Sequence, residues 1–96
     1  MYDVSYSNPA KRYFRKLKDK HLLSAFENAI DELKADPYIG EQKTGDLRNI
    51  WCYDVKHSNV NYEIAYRIYE ENGKFLLVIL AGTRENFYEE LKRLVV

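Results

Sequence analysis

The 96-residue sequence has one cysteine, two prolines, four glycines and two histidines. Cys52 alone cannot form an internal disulfide, so a chain of this size must be held by its hydrophobic core. His21, His57 and Cys52 do not make a metal constellation, and there is no Gly-rich phosphate loop or Gly-x-Ser-x-Gly elbow. Any chemistry is therefore expected to need neither metal nor cofactor. The longest apolar run, Phe75 to Ala81, is seven residues, against the roughly 20 that a membrane helix needs. Met1-Tyr2-Asp3-Val4 lacks the basic-then-apolar pattern of a signal peptide, so a cytoplasmic protein with no membrane partner is expected. Repeats, low-complexity tracts and long linkers are missing too, and residues 1–96 read as a single domain.

Net charge is also lacking: 15 basic residues balance 15 acidic ones. The sum hides an uneven distribution. Residues 1 to 20 carry six bases (Lys11, Arg12, Arg15, Lys16, Lys18, Lys20) and two acids, for +4, whereas residues 21 to 47 carry two bases and six acids, for −4. A neutral chain with one strongly basic helix can still present a positive face to nucleic acid. What the chain has in plenty is aromatic surface, with nine tyrosines, four phenylalanines and one tryptophan to build a core.

Tyr2, Val4 and Tyr6 alternate with polar residues and predict a short strand. Asn8-Pro9 ends it and starts a helix, with Asn8 as the cap and Tyr13, Phe14 and Leu17 turned inward. Leu22, Leu23, Phe26, Ala29, Ile30 and Leu33 lie at three- and four-residue spacing and predict a second helix over Lys20 to Ala35, closed by Asp36-Pro37. Residues 37–49 show no periodicity and read as an irregular connection. Ile50 to Lys56, Tyr62 to Tyr69 and Lys74 to Ala81 then read as strands, joined by a polar turn over His57 to Asn61 and a type I′ turn at Asn72-Gly73. A short terminal helix over Glu85 to Leu94 follows. The order β-α-α-β-β-β-α predicts an α+β domain, a helical hairpin packed on a small antiparallel sheet.

In the middle strand Tyr62, Ile64, Tyr66 and Ile68 share the face expected to meet the helices, and Glu63, Ala65, Arg67 and Tyr69 share the other. That second face, flanked by Asp54, Lys56 or His57, is expected to be wet, either as a plain solvated surface or as a ligand face. Arg84 lies where the chain leaves the sheet, and Tyr88 follows four residues on. A guanidinium can clamp a phosphate and a tyrosine can stack on a base or exchange a proton. An ion pair with a packing tyrosine is the structural alternative. His57 can serve as a base near neutral pH or simply sit in an exposed turn, and Cys52 reads as a small core residue.

The segments Tyr6 to Leu17 (YSNPAKRYFRKL), Gly45-Asp46-Leu47, Tyr62 to Arg67 (YEIAYR) and Gly82 to Lys92 (GTRENFYEELK) resemble the RelE/ParE superfamily of toxins from bacterial type II toxin–antitoxin modules. The resemblance implies a cognate antitoxin as partner and one of two targets. RelE-like members cut mRNA on the ribosome without metal, through attack of the ribose 2′-hydroxyl on the adjacent phosphate; ParE-like members inhibit DNA gyrase. A decayed toxin that only binds its antitoxin is the third possibility.

Carried over residue by residue, Arg84 falls on the arginine of the Gly-x-Arg-Glu segment, and Tyr88 replaces the terminal-helix tyrosine with a spacing two residues shorter. The middle strand reads Tyr62-Glu63 where RelE-like toxins read Tyr-Arg, and Cys52 and Asp54 stand near the usual basic pair. The resemblance therefore implies a carboxylate variant of the nuclease site. Arg84 and Arg67 would hold the phosphate, Glu63 or His57 would be the base and Tyr88 would orient the nucleotide. Lys11, Arg12, Arg15 and Lys16, with Arg48 and Lys56, would contact RNA.

Overall fold

The computed structural model describes residues 1–95. The strands are β1 (Asp3–Tyr6), β2 (Glu41–Gln42), β3 (Trp51–His57), β4 (Val60–Tyr69) and β5 (Phe75–Thr83); the helices are α1 (Asn8–Lys16), α2 (Lys20–Ala35) and α3 (Phe87–Val95). The five strands form one sheet in the order β1-β5-β4-β3-β2. The expected meander is present as the antiparallel pairs β3–β4 and β4–β5. Two additions complete it: β1 pairs in parallel with β5, which makes the sheet mixed, and β2 extends it beside β3.

Local chemistry explains most boundaries. Ser7, one residue earlier than expected, caps α1: its Oγ accepts from the Ala10 N–H at 3.2 Å and donates to the Ile79 carbonyl, so one hydroxyl serves both helix and sheet. Asp19 caps α2 through the N–H groups of His21 and Leu22. The β3–β4 turn is tighter than the five polar residues suggested, a two-residue hairpin with Ser58 and Asn59 both at positive φ. Asn72 and Gly73 adopt positive φ, as a type I′ turn requires.

The sheet has two cores, not one. On the helical side Phe26 is fully buried at the centre of an edge-to-face cluster, with ring centroids 5.7 Å from Tyr13, 5.4 Å from Phe14 and 5.6 Å from Tyr62. Ile64 and Tyr66 are buried in this core, with Tyr62 and Ile68 packed against it, as the alternation predicted. The opposite face was expected to be wet, and here the structure corrects the sequence. Phe87 and Leu91 of α3 close over Leu47, Ile50, Cys52, Ala65, Ile79 and Leu80. A bulge lets this happen: Ala65 pairs with Leu80 and Tyr66 with Val78, so Ile79 is an extra residue and both Ile79 and Leu80 join the second core. With α3 over the middle of the face, one cleft remains at the Glu63 end and another cavity at the Arg67 end.

Candidate functional site

At one open end lies a cleft of about 260 Å³ lined by Gly40, Glu41, Lys43, Asp54, Glu63, Arg84 and Tyr88, with Cys52 in its wall. Each side chain is placed by backbone pairing. Glu63 sits on β4 directly across from Asp54 on β3, and Glu41 pairs with Cys52 at the sheet edge. The Lys43 N–H donates to the Ile50 carbonyl at 2.9 Å, and the Arg84 N–H to the Asn61 carbonyl at 3.0 Å. Tyr88 enters on the first turn of α3.

Gly40 makes the wall possible. A Cβ there would meet the Tyr66 hydroxyl and come within 2.8 Å of the Cys52 carbonyl oxygen. Only a residue without a side chain lets the connection lie so close to the sheet. Tyr66 in turn donates to the Pro37 carbonyl at 2.6 Å and ties the same connection down from within the core.

Glu63 is the centre of the site. Its side chain is 2% exposed, its Oε1 accepts from the Tyr88 hydroxyl at 2.9 Å, and Arg84 Nε lies 3.8 Å from the same oxygen. Its Oε2 has no hydrogen-bond partner among the described residues. Burial pushes the Glu63 carboxyl above the ordinary carboxylate range, with Asp54 adding to the rise while the Tyr88 bond and Arg84 oppose it. Glu63 is thus a carboxyl inclined to take up a proton. Arg84 itself is 56% exposed and reaches into solvent.

Lys43 lies 4.8 Å above the centre of the Tyr88 ring and 2.6 Å from a Glu41 carboxylate oxygen. Burial works against its charge, yet the Glu41 carboxylate and Tyr88 prevail and hold its ammonium above the ordinary lysine range. Burial raises the Tyr88 hydroxyl, with Lys43 opposing and Glu63 reinforcing the shift. The Cys52 thiol is pushed up to about 12 by burial and by Glu63, which keeps it protonated and makes it a core residue, not a nucleophile. The cleft holds a hydrogen-bonded carboxyl and phenol, Glu63 and Tyr88, with Arg84 beside the first and Lys43 beside the second.

Of the residues singled out in the sequence, the cleft brings together Glu63, Arg84 and Tyr88. Arg67 and His57 lie outside it. Arg67 is four residues further along β4 and lines a separate cavity with Asn49, Ile68 and Tyr69. His57 closes β3 at the hairpin. Lys11, Arg12, Arg15 and Lys16 are all exposed on α1, and Arg48 and Lys56 are exposed on the connection before β3 and on β3 itself. Sequence reasoning missed Lys43 and Glu41. The only sequence signal was the short Glu-Gln-Lys stretch between Gly40 and Gly45, and nothing local says that it joins a sheet edge.

Comparison with known proteins agrees with this architecture. A search of curated protein sequences gave no match. Among solved structures, the toxin–antitoxin complex RelBE2 from Mycobacterium tuberculosis is similar at 23% identity and a TM-score of 0.67, over 86% of this chain and 98% of that one. A double arginine-to-alanine mutant of the E. coli toxin RelE in the free state is similar at 18% identity and a TM-score of 0.74, over 98% of this chain and 93% of that one. At such identities both show the shared fold. The family model described as ParE-like toxin of type II bacterial toxin–antitoxin systems matches residues 4–92, nearly the whole chain, and the protein therefore belongs to that toxin family.

Proposed function

We propose that the chain is a toxin that cuts mRNA on the ribosome, with the cleft around Glu63 as its active site. The observation that carries this reading is the Tyr88–Glu63 hydrogen bond, 2.9 Å long, set beside Arg84 and Lys43 in one cleft. Cleavage by an internal 2′-hydroxyl needs a base for that hydroxyl, an acid for the leaving 5′-oxygen and cations for the phosphate. Glu63 accepts the 2′-hydroxyl proton as the 2′-oxygen bonds to phosphorus. Tyr88 gives its proton to the 5′-oxygen as the P–O5′ bond breaks, and recovers one from Glu63 through the bond they already share. Arg84, exposed beside Glu63, and Lys43, beside Tyr88, hold the phosphoryl oxygens.

The cleft carries three acids, Glu41, Asp54 and Glu63, against two bases, Lys43 and Arg84. This mixed charge suits a substrate delivered by the ribosome better than capture of free RNA. The exposed bases of α1, with Arg48 and Lys56, supply the contact to ribosomal RNA. The partner that silences the toxin is its cognate antitoxin.

The test is mRNA integrity on translating ribosomes. Arg84→Ala should lower the cleavage rate by about 10²- to 10³-fold, the usual cost of losing one oxyanion-stabilising donor. Uncut mRNA with the parent chain, together with undiminished growth arrest by Arg84→Ala, would overturn the proposal. The ParE-like family match favours a second reading, inhibition of DNA gyrase, which predicts loss of supercoiling activity at saturating toxin.

A further inference from the structure

Arg67 has no role in the cleft, and its surroundings are unusual. Its Nε is buried and makes no hydrogen bond, and among the described residues no carboxylate lies within ion-pair distance of its guanidinium. A half-buried cation with an orphan N–H is costly unless an acceptor visits it. The group lines a cavity of about 360 Å³ with Asn49, Ile68 and Tyr69. Beside it Tyr69 stacks on Phe75 with ring centroids 4.8 Å apart and planes 11° from parallel, and Tyr69 is exposed. Arg48, next to Asn49, adds an exposed positive charge.

We propose that Arg67, Asn49 and Tyr69 form a second nucleotide subsite, with a phosphate on the guanidinium and a base on the tyrosine ring. The shape of the ligand follows from the partners: a guanidinium for an oxyanion, a carboxamide for a base edge and a flat aromatic surface that accepts any base. An acidic peptide would use the guanidinium but offer no planar group to the exposed Tyr69 ring. The subsite is distinct from the cleft. Four residues of strand separate Arg67 from Glu63, about 13 Å at the usual rise, and the Phe87–Leu91 cluster stands between them over Ala65. Both lie on the same sheet face, so one strand of RNA engaged at Glu63 reaches Arg67 only if it extends past α3. This inference rests on the reading of the chain as an RNA-cleaving toxin.

Length-dependent binding tests it. A trinucleotide and an octanucleotide with 2′-O-methyl riboses, which cannot be cut, are titrated against the parent, Arg67→Gln, Tyr69→Leu and Arg84→Ala chains by fluorescence anisotropy over a range of salt. Arg67→Gln and Tyr69→Leu should each weaken octanucleotide binding about tenfold and leave trinucleotide binding unchanged. Arg67→Gln should also flatten the salt dependence of octanucleotide binding by about 0.7 in log–log slope, the signature of one lost phosphate contact. Arg84→Ala should weaken both ligands. Equal effects on the two lengths, an unchanged slope, or binding of an acidic peptide in place of the octanucleotide would overturn the subsite. Arg84-dependent mRNA cleavage with octanucleotide binding indifferent to Arg67 would refute the subsite and spare the nuclease reading. The expected binding pattern without any mRNA cleavage would do the reverse, and a parent chain that binds neither oligonucleotide would overturn the subsite while mRNA integrity on translating ribosomes still decides the nuclease reading.

Discussion

Replacing Gly40 by alanine perturbs the point where the cleft wall touches the core. The added Cβ would collide with the Tyr66 hydroxyl and lie 2.8 Å from the Cys52 carbonyl oxygen. Neither neighbour gives easily, since Tyr66 is fully buried and the carbonyl belongs to a paired residue of β3. Overpacking of this kind costs about 1–3 kcal/mol. If Tyr66 moves, its bond to the Pro37 carbonyl is lost and a buried acceptor is left unpaired, for about 1–3 kcal/mol more. The sum is about 2–6 kcal/mol, and at about 4–8 °C per kcal/mol for a domain of this size the melting temperature should fall by at least 8 °C or so. Tyr66→Phe removes the atom that the new methyl meets first. The penalty for Gly40→Ala should therefore shrink by roughly 1 kcal/mol or more in that background, a coupling expected only of residues in contact. Melts of the four chains by circular dichroism measure both quantities. A Gly40→Ala chain melting within 2 °C or so of the parent, or additive effects, would refute the close approach.

Three further outcomes follow from the same geometry. Glu63 is raised above its unfolded value, so the stability linked to its proton is present below about pH 4.3 and is lost as pH rises through its native pKa; Glu63→Gln should abolish cleavage yet melt higher than the parent at pH 8, with the gap closing near pH 4. Equal gaps at both pH values would contradict the raised carboxyl. Glu41→Gln frees Lys43 from its ion pair and should speed single-turnover cleavage severalfold, whereas Lys43→Met should slow it at least tenfold; a slower Glu41→Gln chain would show that Lys43 needs the carboxylate for its placement. Ser7→Ala loses the cap of α1 and the donor to Ile79, and should cost about 1–2 kcal/mol in urea unfolding with an unchanged slope.

The amino-acid sequence alone determined the local grammar. Helix α2 runs over Lys20–Ala35 as its apolar spacing, Asp36 and Pro37 require, and the Asn72-Gly73 turn is where its backbone preference puts it. The face of β4 that meets the helices, Tyr62 to Ile68, was also legible, because side chains alternate strictly along a strand. The resemblance supplied Arg84 and Tyr88, with Glu63, Arg67 and His57 as further candidates, and of these the cleft gathers Arg84, Tyr88 and Glu63. Tertiary structure alone decided the rest. The covering of the second sheet face depends on where α3 docks and on one extra residue in β5, neither of which has a local signal. Lys43 lines the cleft and Arg67 lies away from it, because strand pairing brings residue 43 beside residue 88 while four residues of β4 carry Arg67 to a separate cavity. Charge obeys the same division. A sequence fixes how many acids and bases there are, but burial and neighbours fix which of them holds a proton, and Glu63 acquired its character only when β3, β4 and α3 enclosed it.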